Sequence, residues 1–443
     1  MSTSIAYNGL PSIICAASLI KKGVQVELLL PQELSIKQNG TFNLLPYELP
    51  VTGVEHRDYE NNLFSFLELN DIKEHLSPEK DIINIVFGSN RIDFSSKTII
   101  EDITRVFPEY ERNIRSFITE VLKLEKQLPV LWERGTLLAG SIKLTRIEKV
   151  KRVFSFGPKA HKKISYLYKK HDLPECIKLI FDSILFVMSG SIYELPLIEA
   201  VRVLAMALEG VNSLEDNVFS FADRMLKSLN CSIKVAGPNE IKEADIKDAD
   251  FVKKDFILNF NHFNSRYSAQ IRYPMSMFFK FDIKNLPAPM SRFLIYIDVD
   301  DSGFYSPDDI YVVRYTREDE AAYLRITSFI HSGLFDIESE GHREKLFVME
   351  NIVQEIVPAL AECGYGRYPD PRSVGLKKGL DNMFANLVEN DLIYGKICEE
   401  SVLPGLGRKV VCCGKERFYS LGFESSVISG LNAANKFFRG SKS

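Results

Sequence analysis

The first thirty residues constrain the fold more than any other stretch. Thr3 to Ala6 is short and β-compatible, Tyr7-Asn8-Gly9 has turn chemistry, and Leu10 to Lys22 carries small and apolar residues suited to a helix lying on a sheet. Gly23 stands where a left-handed helix cap is favoured. Val24 to Leu30 then reads as a buried strand, and Pro31 stops it. Two buried strands joined by a crossover helix pair in parallel. The chain therefore opens as an α/β unit of the βαβ type.

The rest of the chain divides by period. From about Leu67 to Glu209 the pattern is mostly helical: Ile99 to Arg105, Tyr110 to Gln127 and Glu175 to Val187 repeat apolar residues near every 3.6 positions, and Ser191 to Glu209 reads as another buried helix. Asp216 to Leu229 reads as an amphipathic helix and Cys231 to Val235 as a strand. From Phe256 to Ile330 strands dominate, with β-branched and aromatic runs at Asp255 to Phe260, Ile271 to Tyr273, Phe293 to Ile297 and Ile310 to Tyr315. Glu344 to Cys363 reads as a long helix, Lys409 to Cys413 as a strand and Glu424 to Phe438 as a helix. No repeat or Gly/Ser linker separates these blocks, which points to domains interleaved in sequence.

The C-terminal segment is the most specific. Val410-Val411-Cys412-Cys413-Gly414, followed by Leu421-Gly422-Phe423-Glu424 and the small residues Ser429, Gly430, Ala433 and Ala434, resembles the flavin-binding end of the FAD-dependent phytoene desaturase and amine oxidase group. In that group a strand delivers a Gly-Asp pair and a Gly-apolar-Glu turn opens a helix, whose N-terminus aims N–H groups at the flavin. The N-terminal βαβ is similar to the same group's dinucleotide fold. The resemblance implies an α/β (α+β mixed) architecture: a Rossmann-like FAD/NAD(P)-binding domain from residues 1–66, 210–255 and 395–443, a helical cap over 67–209, and a sheet-containing substrate domain over 256–394. It implies FAD as cofactor, with Gly9, Ser12, Gly414, Lys415, Gly422, Phe423 and Glu424 at its binding site.

Set against the GxGxxG fingerprint, Tyr7 takes the first glycine position, Gly9 the second and Ser12 the third. An aromatic residue at the first position does not easily take glycine's turn conformation. Leu30 stands where the group carries the carboxylate that accepts the ribose hydroxyls, a loss on the order of 1–3 kcal/mol for FAD. Glu27 lies three residues back, on the opposite face of the strand, and Glu33 lies past Pro31. Ser35 to Val51 lacks the Arg-x-Gly-Gly segment, and Lys415 replaces the acid of the Gly-Asp pair, where it could meet a different anion. Four departures converge on one ligand.

Composition limits the alternatives. A net charge of -4 gives no electrostatic case for nucleic acid. Seven scattered cysteines without CxxC spacing, and seven histidines without ligand spacing, argue against a metal site and a disulfide framework and for a reducing cytoplasm. The apolar run Ile13 to Ile20 precedes rather than follows its lysines, unlike a signal peptide, and no stretch reaches membrane-spanning length. Asp298-Val299-Asp300-Asp301-Ser302-Gly303 opens like a calcium loop, but its flanks read as strands and its twelfth position holds Asp309, so an acidic turn is expected.

From Lys143 to Lys170 ten Lys or Arg residues face the single Glu148, which reads as a solvated helical face or as a surface for peripheral association with an acidic partner or anionic membrane. The functional expectation is a degenerate flavoprotein relative with weakened or lost FAD binding. It would serve as a binding or partner protein for an apolar small molecule or a protein. The alternative is an active FAD-dependent oxidoreductase on a lipophilic substrate.

Overall fold

The computed structural model describes residues 2–6, 10–31, 51–52, 82–126, 162–189, 195, 197–212, 231–248, 272–282, 293–298, 309–318, 321–331, 340–356, 366–369 and 411–413, with 430, 431, 433, 434 and 437 of the last segment. The opening unit folds as its residues dictate. Strand β1 (Ser2–Ala6) leads into helix α1 (Leu10–Lys21) and strand β2 (Gln25–Pro31). Gly23 takes φ +77° and its N–H bonds to the Ile20 carbonyl at 2.8 Å, so the helix ends in the left-handed turn only glycine adopts freely. From Ser12 to Leu19 every side chain of α1 is buried. A helix buried all round is covered on more than its sheet side.

β1 pairs in parallel with β2 on one side and with β8 (Ile246–Asp248) on the other. β7 (Ser232–Ala236) extends the sheet beyond β2, and β14 (Val411–Cys413) extends it beyond β8. A short helix, α7 (Pro238–Glu243), connects β7 to β8. The order is β14-β8-β1-β2-β7, all parallel, assembled from the start, the middle and the end of the chain. Long-range clamps hold it. The Asp245 carboxylate accepts from the Ser4 N–H at 3.0 Å and from the Thr3 hydroxyl at 3.1 Å, tying the approach to β8 onto β1 across 241 residues. A separate two-stranded pair joins β3 (Val51–Thr52) to β6 (Val211–Asn212).

The second sheet is built from β4 (Ile83–Phe87), β5 (Asn90–Phe94), β9 (Arg272–Asp282), β10 (Phe293–Ile297), β11 (Ile310–Glu318), β12 (Ala321–His331) and β13 (Gly366–Pro369). These seven strands lie in the order β13-β9-β12-β11-β10-β4-β5. Strands β10 and β11 stand where β-branched and aromatic runs place them, β9 runs well past the stretch read at Ile271 to Tyr273, and β12 falls in the strand-dominated span without a run of its own to mark it. The hairpin β4–β5 departs from the sequence pattern, which is mostly helical over this span. Its alternation, with Ile83 and Ile85 answering Ile92 and Phe94, is too short to outweigh the helical period around it. Gly88, at φ +55°, occupies the first central turn position, where a tight hairpin accepts glycine. The parallel pairing of β4 with β10 then carries this early segment into the later sheet.

One face of that sheet is covered by α2 (Ile99–Val106), α3 (Glu111–Glu125), α4 (Ser165–Lys170), α5 (Glu175–Ser189) and α6 (Leu197–Leu208), which share one core with β4, β5, β10 and β11. The run Ile184 to Met188 is wholly buried in it. Phe117 anchors the layer, with its ring 4.7 Å from Phe181 and 5.6 Å from Tyr168. A helix α8 (Glu340–Ile356) lies on the opposite face: the Tyr296 hydroxyl donates to Glu355 at 2.9 Å, and Lys345 stands 5.4 Å from the Tyr311 ring. The helix read at Asp216 to Leu229 and the strand at Asp255 to Phe260 lie outside the described residues. No helix among the described residues is long and apolar enough to cross a membrane.

Candidate functional site

In a parallel sheet all the carboxyl ends lie on one edge. At that edge β1 is the strand from which the chain turns to β2 on one side, while its other neighbour, β8, comes from much later in the sequence. Helix dipoles and free N–H groups collect at such a reversal of strand order, which is where open α/β sheets bind ligands. Tyr7, Asn8 and Gly9 follow β1 there and lie outside the described residues; α1 begins at Leu10.

Ser12 is placed in the first turn of α1, fully buried, with its hydroxyl donating a long 3.4 Å hydrogen bond to the carbonyl of Ala6, the last residue of β1. A glycine at this position lets helix and strand approach. Here a small side chain does so while meeting a strand-end carbonyl. Ser12 is thereby a packing residue of the crossover.

The register places Leu30 closely. Ala6 pairs with Leu29, so Leu30 stands one residue past the end of β1, and it pairs on its other side with Val235. This is the carboxyl end of β2, beside the turn. Leucine brings no acceptor to it. Glu27 is exposed, in register with Ser4 and Ser232 in mid-strand, about 10 Å back along the chain at ~3.3 Å per residue. Glu27 thus lies away from the carboxyl end at which Leu30 stands. Glu33 lies outside the described residues.

The next crossover makes its own anion. β7 ends at Ala236, and the Gly237 N–H donates to Glu240 at 3.0 Å, with Pro238 opening α7. This is half of a capping box with proline at the first helical position. The pattern is legible in Gly237-Pro238-Asn239-Glu240, yet a helix of six residues gives too little periodicity to be expected from sequence. The Lys234 ammonium and the Gly237 N–H hold the Glu240 carboxyl below its usual range. Ala6, Leu29, Ala236 and Ala244 form a small apolar cluster beside it. Asp245 is likewise absent from the sequence expectations. Its partners are 241 or 242 residues away, so no local signal marks it.

β14 ends at Cys413 on the same edge, two strands from β1. Gly414, Lys415, Gly422, Phe423 and Glu424 lie outside the described residues. In the segment that follows, Gly430, Leu431, Ala433 and Ala434 are helical and buried. Across the molecule, Asp298 and Asp309 bound the acidic segment 299–308 between β10 and β11, which lies outside the described residues. The Asp298 N–H bonds to the Asp309 carbonyl at 2.9 Å, and Lys345 stands 3.4 Å from the Asp309 carboxylate. Burial, then repulsion from Asp309, pushes the Asp298 carboxyl up. Strands β10 and β11 stand on both sides of this segment. Among the described residues no group of three metal-ligating side chains occurs.

The sequence matches no protein-family model and no curated protein. Solved structures do match. Cyclohexylamine oxidase from Brevibacterium oxydans aligns over 99% of this chain and 99% of its own, with a TM-score of 0.50 and 10% identity. A putrescine oxidase bound to putrescine aligns over 99% of both chains with a TM-score of 0.47 and 10% identity. The Rab GDI of Plasmodium falciparum aligns over 76% of this chain and 85% of its own, with a TM-score of 0.40 and 8% identity. At such identities the likeness speaks to architecture alone, and its weight rests on the first of the three. The chain has an α/β fold like that of cyclohexylamine oxidase.

Proposed function

We propose that this protein is a flavoprotein-fold relative whose FAD binding is weakened or lost, and that it serves as a binding or partner protein for an apolar ligand or another protein. The observation that carries this reading is Leu30 at the carboxyl end of β2, beside the turn after β1. A ribose bound there would find no acceptor in a leucine, at a cost on the order of 1–3 kcal/mol. Tyr7 in the turn and Lys415 after β14 add to it. The residues present thus do not fit the adenosine half of FAD.

A second reading is an active FAD-dependent oxidoreductase of a lipophilic substrate. It is favoured by the intact reversal of strand order at β1 and by the full-length likeness in fold to an amine oxidase. Absorbance separates the two. The purified protein, before and after addition of excess FAD and gel filtration, is expected to be colourless. Flavin bands that co-elute with the protein would establish the second reading instead.

A further inference from the structure

Strand β7 is the outer strand of the parallel sheet, paired with β2 on one side and with no neighbour on the other among the described strands. Parallel strands are ordinarily covered on both faces. Here Ser232, Ile233, Lys234 and Val235 are all exposed, Ile233 to 41% and Val235 to 52%. Leu28, in register with Ile233 on β2, is buried, so the cover over this face of the sheet stops between the two strands. Two β-branched apolar side chains thus stand in solvent on an edge strand, whose backbone groups are a template for a further strand.

The alternation of β7 sets what can pair with it. Cys231, just before the strand, shares one face with Ile233 and Val235, while Ser232 and Lys234 share the other. Antiparallel strands set residues of one face directly opposite each other. About a two-fold axis at Ile233, β7 of a second copy meets its own pattern: Ile233 faces Ile233, Cys231 faces Val235, and Lys234 faces Ser232. An axis at Lys234 would set two like charges opposite, and a shift of one residue would set Ile233 against Lys234.

Charge selects the same register. Ser232 pairs with the exposed Glu27 on β2. Lys234 of one copy, which meets Glu240 in its own chain, would stand across Ser232 from Glu27 of the other. Two strand spacings, roughly 10 Å between backbones, lie within the combined reach of a lysine and a glutamate side chain. The symmetry makes this pairing twice.

We propose that β7 pairs antiparallel with β7 of a second copy of this chain about a two-fold axis at Ile233, joining two five-stranded sheets into one of ten. The inference does not depend on whether FAD binds.

Sedimentation equilibrium of the full chain tests it. A short edge makes a small interface, so the average mass is expected to rise from one chain toward two between about 1 and 100 µM. Ile233→Lys sets two like charges on the axis and is expected to weaken association about a hundredfold or more. Val235→Cys reads the register. After oxidation with copper phenanthroline, its thiol is expected in an interchain disulfide with Cys231 of the second copy, mapped by mass spectrometry of non-reduced peptides. Within one chain the two positions lie four residues apart along the strand, ~13 Å, too far to bridge. Circular dichroism reports folding, and if Ile233→Lys does not fold, the Val235→Cys crosslink decides. A mass of one chain throughout the range would overturn the proposal and leave the edge to a strand of another protein. So would a dimer that a folded Ile233→Lys leaves intact, or a Val235→Cys crosslink that does not involve Cys231.

Discussion

The two sheets of this molecule have kept different things. The seven-stranded sheet and its helices form one continuous apolar core that also holds a buried ion pair: Arg202 and Glu125 pair at 2.8 Å between α6 and α3. The five-stranded sheet keeps its parallel order and its reversal at β1, while in sequence Tyr7, Leu30 and Lys415 stand where the resembled group carries a glycine and two acids. Packing residues are constrained by all their neighbours at once, so a core changes little. An edge residue that answers only to a ligand is free to change without disturbing the fold. The proposed loss of FAD binding would therefore lie at that edge and not in the scaffold.

Substitutions in the seven-stranded region probe that contrast at its strong end. Phe117→Ala removes a fully buried ring packed on Phe181 and Tyr168, and is expected to cost about 3–5 kcal/mol in chemical denaturation. A loss under ~1 kcal/mol would mean that the helical layer is loosely packed. Arg202→Met strips the buried Glu125 of its guanidinium and is expected to cost about 3 kcal/mol or more; adding Glu125→Leu should recover most of it. A double variant no better than the single one would show that the pair is not coupled.

Glu120 gives a smaller effect with a pH signature. Burial pushes its carboxyl up, but hydrogen bonds from Lys170 and His171 outweigh burial and hold it below its ordinary value of 4.5. A carboxylate depressed in the folded state stabilises the protein above its unfolded pKa, and that contribution is lost as pH falls below 4.5 toward the folded value. Glu120→Gln should cost about 1–3 kcal/mol at neutral pH and flatten the acid limb of a stability profile. An unchanged acid limb would show that the contact contributes little. At the weak end, Leu30→Glu is expected to shift stability by less than about 1 kcal/mol, as befits a position next to the last residue of its strand. A loss as large as that of Phe117→Ala would erase the distinction between the two regions.

Much of the architecture was legible in the sequence, for reasons tied to particular residues. Gly23 and Pro31 punctuate the opening unit, so β1, α1 and β2 could be read within a residue or two of their observed ends. The hairpin at Ile83–Phe87 and Asn90–Phe94 could not, because strands of five residues give period-2 alternation too little length to stand out. Asp245 was invisible because its role depends on a partner strand at the far end of the sheet's sequence. In the candidate site, Leu30 lies at the end of β2 and Ser12 in the first turn of α1, positions that motif spacing alone can number. Ser12's bond to Ala6 needed three-dimensional placement, since a motif names positions and not the atoms they meet.

Whether the edge of the parallel sheet holds FAD is decided by equilibrium titration. FAD is titrated into the parent chain and into Tyr7→Gly/Leu30→Glu, following flavin fluorescence and retention on gel filtration. The parent is expected to retain no flavin, and the variant to gain about 10-fold to 100-fold in affinity as the acceptor and the turn glycine return. A yellow parent protein that keeps FAD through gel filtration, with no gain in the variant, would contradict the loss of FAD binding.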